Sequence, residues 1–140
     1  MKTTSLISRL LLGLIFTVFG LNAFLHFFPT PPVPGLAGQF MGALLGSHYY
    51  VIAFGTEIIG GALLLSNRYV PLALTLLGPV IVNILSFHVF LDSENIAPAI
   101  VVAVLWFLVF SQVRSAFAGL FVAKKAGLKS SSPAEALSAA

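Results

Sequence analysis

Apolar residues run along the chain in four long stretches, at about residues 6–28, 49–65, 69–91 and 96–113, separated by short polar or proline-rich breaks. Each stretch approaches the ~20 residues that an α-helix needs to cross the hydrocarbon of a bilayer. The pattern predicts an all-α fold, a bundle of four transmembrane helices forming one domain over residues 1–125. The breaks Ser66-Asn67-Arg68 and Asp92 to Asn95 are short enough to force antiparallel neighbours.

The first break is of another kind. Pro29, Pro31, Pro32 and Pro34 hold FPTPPVPG in an extended path. The following LAGQFMGALLGSHYY is too short to span, which predicts a short interfacial or re-entrant helix between the first two spans. Pro79, inside the third span, predicts a kink and a freed carbonyl. The fourth span has room to continue to residue 125 along the membrane surface, and residues 126–140 have the composition of a disordered tail.

Composition sharpens this picture. A mean hydropathy of +1.05 with 8% charged residues is far from the roughly 25% charged residues of a soluble domain. Lys2 and Arg9 stand at the start of the first span, Arg68 in the second turn, and Arg114, Lys124, Lys125 and Lys129 after the fourth span. In an antiparallel bundle all seven fall on one side, which predicts both termini in the cytoplasm. The net charge of +3 is then a matter of topology, and no nucleic-acid partner is needed to explain it. The first run is longer than a signal-peptide core and no small-x-small site follows it before the prolines, so it is read as a retained helix. The absence of cysteine excludes dithiol chemistry and thiolate metal sites.

Against this background Glu57, in FGTEIIGG, stands out as the only acidic residue before Asp92. A charged side chain at membrane depth costs several kcal/mol unless paired. Counted from the outer ends of their spans, Glu57 and Asn83 both lie ~12 Å deep, Asn22 ~9 Å, and His26 and His88 within ~5 Å of the boundary. Ala53, Gly60 and Gly61 share the helical face of Glu57, so that face allows close helix approach and turns the carboxyl into the bundle.

Two readings of Glu57, Asn83, Asn22, His88 and His26 stay open. In one, the Glu and Asn side chains are interhelical hydrogen-bond glue, worth ~0.6 kcal/mol per contact. In the other, the group lines a polar pocket that holds a quinone, a lipid or another small amphiphile. A proton or ion pathway is a lesser alternative. His26 and His88, at similar depth on parallel helices, have the placement that two axial haem ligands require, but a histidine near a helix end is more often an interfacial polar residue. No catalytic residue, metal or resident cofactor is expected, with quinone the one exception. Arg9 and Arg68 are expected to snorkel to the headgroups, and Trp106 either lines the pocket or faces lipid.

The segments RLLLGLIFTVFGLNAF, TEIIGGALLLSNRYVPLAL and GPVIVNILSFHVFLD, spanning Arg9 to Asp92, resemble the DoxX family of small bacterial four-helix membrane proteins. The elements that carry the resemblance are Arg9, Gly20, the E-x-x-G-G of Glu57, Gly60 and Gly61, the turn from Asn67 to Leu72, and Pro79, Asn83 and His88. Ala23 stands where many relatives carry a Lys, so a Lys partner for Glu57 from that position is absent. The resemblance implies a multi-pass protein of the bacterial inner membrane, an accessory, quinone- or lipid-holding component of a membrane redox or stress-related complex with partner proteins. Its alternatives are a membrane subunit of a quinone-reducing oxidoreductase and a structural module without ligand. Oligomeric state is not implied.

The one-sided basic residues yield a direct test of topology. With no native Cys, Ser93→Cys is expected to react with an impermeant maleimide added outside intact cells, and Ser131→Cys to stay unlabelled. The reverse pattern overturns the orientation.

Overall fold

The structure, a computed structural model, describes residues 2–122. They form five α-helices: α1 (Lys2–Leu25), α2 (Gly35–Gly46), α3 (Tyr49–Leu65), α4 (Val70–Phe90) and α5 (Ala97–Val113), with 3₁₀ turns at Ser93–Asn95 and Arg114–Phe121. α1, α4 and α5 with its 3₁₀ extension are each long and apolar enough to cross a membrane. α2 and α3 are bent by 87° and make a fourth span only if the pair is counted as one. The 3₁₀ extension of α5 reaches Phe121; residues 123–125 and the tail at 126–140 lie outside the described residues.

α1 packs on α3 and α5, and α4 packs on the same two helices, so the four long helices close a ring. Large apolar side chains such as Leu14, Ile59, Val82 and Phe107 point outward and are about half exposed or more. In water such a surface would be a liability; against lipid tails it is the ordinary outer face of a span.

Lipid also removes the usual reason for helices to associate, because a leucine gains little by leaving acyl chains for protein. Close packing at small residues takes over. Gly13, Gly20 and Gly61 form the seam of α1 and α3: a Cβ on Gly61 would sit 2.8 Å from both Gly13 O and Thr17 N, and one on Gly20 3.1 Å from Phe54 O. Gly60 opens the other side of α3 to Leu77 of α4. Arg9 adds a tie at the end of the seam, its guanidinium donating to Leu64 O in the last turn of α3. The helix C-terminus attracts a cation there, so Arg9 is engaged with a neighbouring helix where the sequence suggested snorkelling.

Helix ends follow local chemistry. α3 stops in a Schellman motif, with Asn67 at φ 54°, its amide donating to Leu64 O at 3.2 Å and the Arg68 amide to Leu63 O at 3.1 Å. α1 ends at Leu25, three residues before the expected limit of 28. His26 adopts φ 50° and donates its amide to Asn22 O at 2.9 Å, the left-handed cap that closes the helix.

The fully buried apolar side chains Leu12, Leu64, Leu74, Leu77 and Val109, with Phe16, gather toward the end of the ring that carries the α3–α4 turn. Phe117 of the 3₁₀ extension folds back onto this core, 5.1 Å from the Phe110 ring. Trp106 stacks on Phe110 and its indole N–H donates to Leu74 O at 3.0 Å. The expected alternatives for Trp106 were pocket and lipid; the structure makes it a tie between α5 and α4.

The seam predicts unequal costs for two adjacent glycines. Alanine gains ~1 kcal/mol of helix propensity over glycine, while overpacking costs typically 1–3 kcal/mol. At Gly60 the obstacle is one buried side chain, Leu77, whose Cγ would stand 2.6 Å away, so Gly60→Ala is expected to cost some stability by repacking but less than a clash with backbone. At Gly61 it is backbone, so Gly61→Ala is expected to lower thermal stability in detergent. Equal melting temperatures for the two variants would contradict the seam.

Candidate functional site

At the opposite end the ring is hollow. A cavity of about 690 Å³ lies among the helices, within the 300–1,000 Å³ of ordinary small-molecule pockets. It forms because the ring brings each helix onto two neighbours but fills the centre with large side chains only near the α3–α4 turn.

Each wall is one helical face. α4 contributes Leu76, Pro79, Val80, Asn83, Ile84, Phe87 and His88, at i, i+3, i+4, i+7, i+8, i+11 and i+12. Pro79 lacks an amide and leaves the Thr75 carbonyl without its helical partner. α3 contributes Ile52, Ala53, Thr56 and Glu57, and α1 and α5 supply Phe16, Phe19, Ala99 and Val102. Phe40, Met41 and Leu44 of α2 close the top. Their i, i+1, i+4 spacing marks one face of a short helix, a signal present in the sequence that went unused.

Polar groups are few. Glu57 is only 7% exposed, and among the described residues no protein group hydrogen-bonds its carboxyl. The equal depths of Glu57 and Asn83 led to the expectation of a direct contact; both line the cavity, without a hydrogen bond between them. Thr56 is occupied, its hydroxyl donating to Ile52 O at 2.7 Å. His88 stands on the wall with Nδ1 3.4 Å from Asp92 O and 3.8 Å from the Asp92 carboxylate, which Asn95 Nδ2 in turn holds at 2.9 and 3.2 Å. The imidazole is thus steadied from its outer side.

Asn22 and His26 lie elsewhere. Asn22 is buried, and its Oδ1 accepts the amide of Phe28 at 3.0 Å, fastening the chain where it leaves α1. His26 is exposed in the left-handed cap and is not on the cavity wall. A pair of axial histidines facing one space is therefore not assembled from His26 and His88. Among the described residues no three His, Cys, Asp or Glu side chains gather as a metal site.

The chain matches no protein-family model, no curated protein and no solved structure.

Asn22→Ala separates helix capping from the cavity. It removes one hydrogen bond and leaves the Phe28 amide unpaired, a cost of about 1–3 kcal/mol. The expected result is a lower detergent melting temperature with unchanged retention of any co-purifying amphiphile. Lost retention at full stability would return Asn22 to the site.

Proposed function

We propose that this chain is a four-span membrane protein with both termini cytoplasmic, and that it binds a small amphiphile, a quinone or a lipid, in its hollow end. The observation that carries the reading is Glu57: a buried carboxyl without a protein partner, set in the wall of an otherwise apolar cavity. An unpaired buried polar group costs free energy that a bound partner recovers. Among the described residues the basic side chains Lys2, Arg9, Arg68 and Arg114 share the end away from the cavity, which supports an inner-membrane orientation with the cavity in the outer half. The resemblance to DoxX-like proteins favours an accessory role in a membrane redox or stress-related complex over catalysis by the chain itself.

The alternative in which Glu57 glues helices makes the opposite demand on stability. Glue is lost in Glu57→Leu, which then melts lower; a ligand-facing Glu57 has no protein bond to lose. We expect Glu57→Leu to keep or raise the melting temperature of lipid-stripped protein while abolishing retention of the co-purifying amphiphile in native mass spectrometry. The stabilisation that added ligand gives the wild type, ~2.7 kcal/mol at a hundred times Kd, should vanish in Glu57→Leu and survive in part in Glu57→Gln. A Glu57→Leu protein that melts lower yet keeps its ligand establishes glue and refutes the pocket.

A further inference from the structure

Charge around the cavity narrows what can enter it, given that it binds an amphiphile as proposed above. None of the residues lining it is Lys or Arg, and the described basic residues stand at the other end of the bundle. The charged groups near it are acidic: Glu57 in the wall, Asp92 against His88, and Glu94 in the 3₁₀ turn that follows α4. Phosphate and carboxylate headgroups are bound by guanidinium, ammonium or clusters of backbone amides. The wall here is made of side chains on regular helices, and at Pro79 it lacks even an amide. An anionic headgroup would meet a carboxyl and no counter-charge.

The hydrogen-bonding capacity that remains is specific. Glu57 accepts in either protonation state and also donates when protonated, and Asn83 both donates and accepts. Thr56 is engaged with its own helix. A ligand carbonyl only accepts, so it takes a bond from Asn83 or from a protonated Glu57 but gives none to the acceptor oxygens that remain. A hydroxyl donates to Glu57 and accepts from the Asn83 amide with one oxygen. A cationic head would require Glu57 to be ionised beside it and both ions to shed water, a penalty that buried ion pairs often fail to recover.

From these groups we infer that the cavity selects uncharged amphiphiles that carry a hydroxyl and excludes anionic lipids. The hydroxyl sits between Glu57 and Asn83, the apolar part lies among Phe16, Val80 and Val102, and His88 at the Asp92 end offers a second polar contact. The same chemistry is offered by a diacylglycerol and by a long-chain hydroquinone.

The test is competitive binding to lipid-stripped protein by native mass spectrometry. The probes are dioleoylglycerol, decylhydroquinone, oleate and dioleoylphosphatidylglycerol. One of the two hydroxyl-bearing probes is expected to outcompete both anionic probes by roughly tenfold or more, and the better of the pair identifies the source. Ala53→Phe and Ile84→Trp, which fill the cavity from different helices, are expected to remove that binding. Asn83→Lys, which supplies the missing cation, is expected to raise oleate binding roughly tenfold relative to the hydroxyl probe. Equal or tighter binding of oleate or phosphatidylglycerol by the wild type, removed by the filling variants, overturns this selectivity and leaves the amphiphile site standing. Binding of no probe, or binding that both filling variants leave intact, overturns the site itself.

Discussion

Everything in this bundle depends on how closely the backbones of α1 and α3 approach. Without a hydrophobic drive between helices in lipid, contact must come from dispersion and polar ties, both of which fall off within an ångström or two. Gly13 and Gly61 meet at distances that no side chain permits, and the price is small: Thr17 Oγ1 lies buried against the seam without a partner among the described residues. Once Gly61 faces α1 and Gly60 faces α4, the rotation of α3 is determined. Glu57, one turn away, then has only the interior to face.

The filled and hollow ends follow from where bulk is placed along that frame. Near the α3–α4 turn, Leu12, Leu64, Leu74 and Leu77 meet in the middle of the ring, and Arg9 and Trp106 each donate to a main-chain carbonyl of a neighbouring helix. Toward the other end the wall includes the small residues Ala53, Ala99 and Pro79, and space remains between the helices. A rigid lower half supporting an open upper half suits a binding site, because the walls can yield without the helices separating.

The long apolar helices and the inward direction of Glu57 were legible because a membrane-crossing composition marks them: crossing requires long apolar runs, and the small residues at Gly60 and Gly61 lie on the face of the one costly carboxyl. Asn22 and His26 were misread for a local reason. Their assignment assumed a helix running to residue 28, and the left-handed turn at His26, a residue with no glycine-like preference for it, stops α1 early. The Asn22 side chain then accepts the Phe28 amide. Trp106 and Arg9 were incompletely read because their acceptors are main-chain carbonyls, which every residue has and no sequence pattern marks. The direct Glu57 and Asn83 contact is missing because equal depth places two groups at one level of the cavity wall without bringing them within hydrogen-bond distance.

The shortness of α3 has a consequence for the bilayer itself. In the proposed four-span arrangement its 17 residues reach about 25 Å, against a hydrocarbon thickness of roughly 30 Å. The neighbouring α1 has 24 residues and meets no such deficit. The missing height falls where the chain turns by 87° into α2, so α2 lies across the top of the short helix and presents Leu36 and Leu45 outward. Lipids on that flank must shorten or tilt to match, at a cost of fractions of a kcal/mol per ångström. In that arrangement the flank of α2 and α3 would sit in a locally thinned patch of membrane.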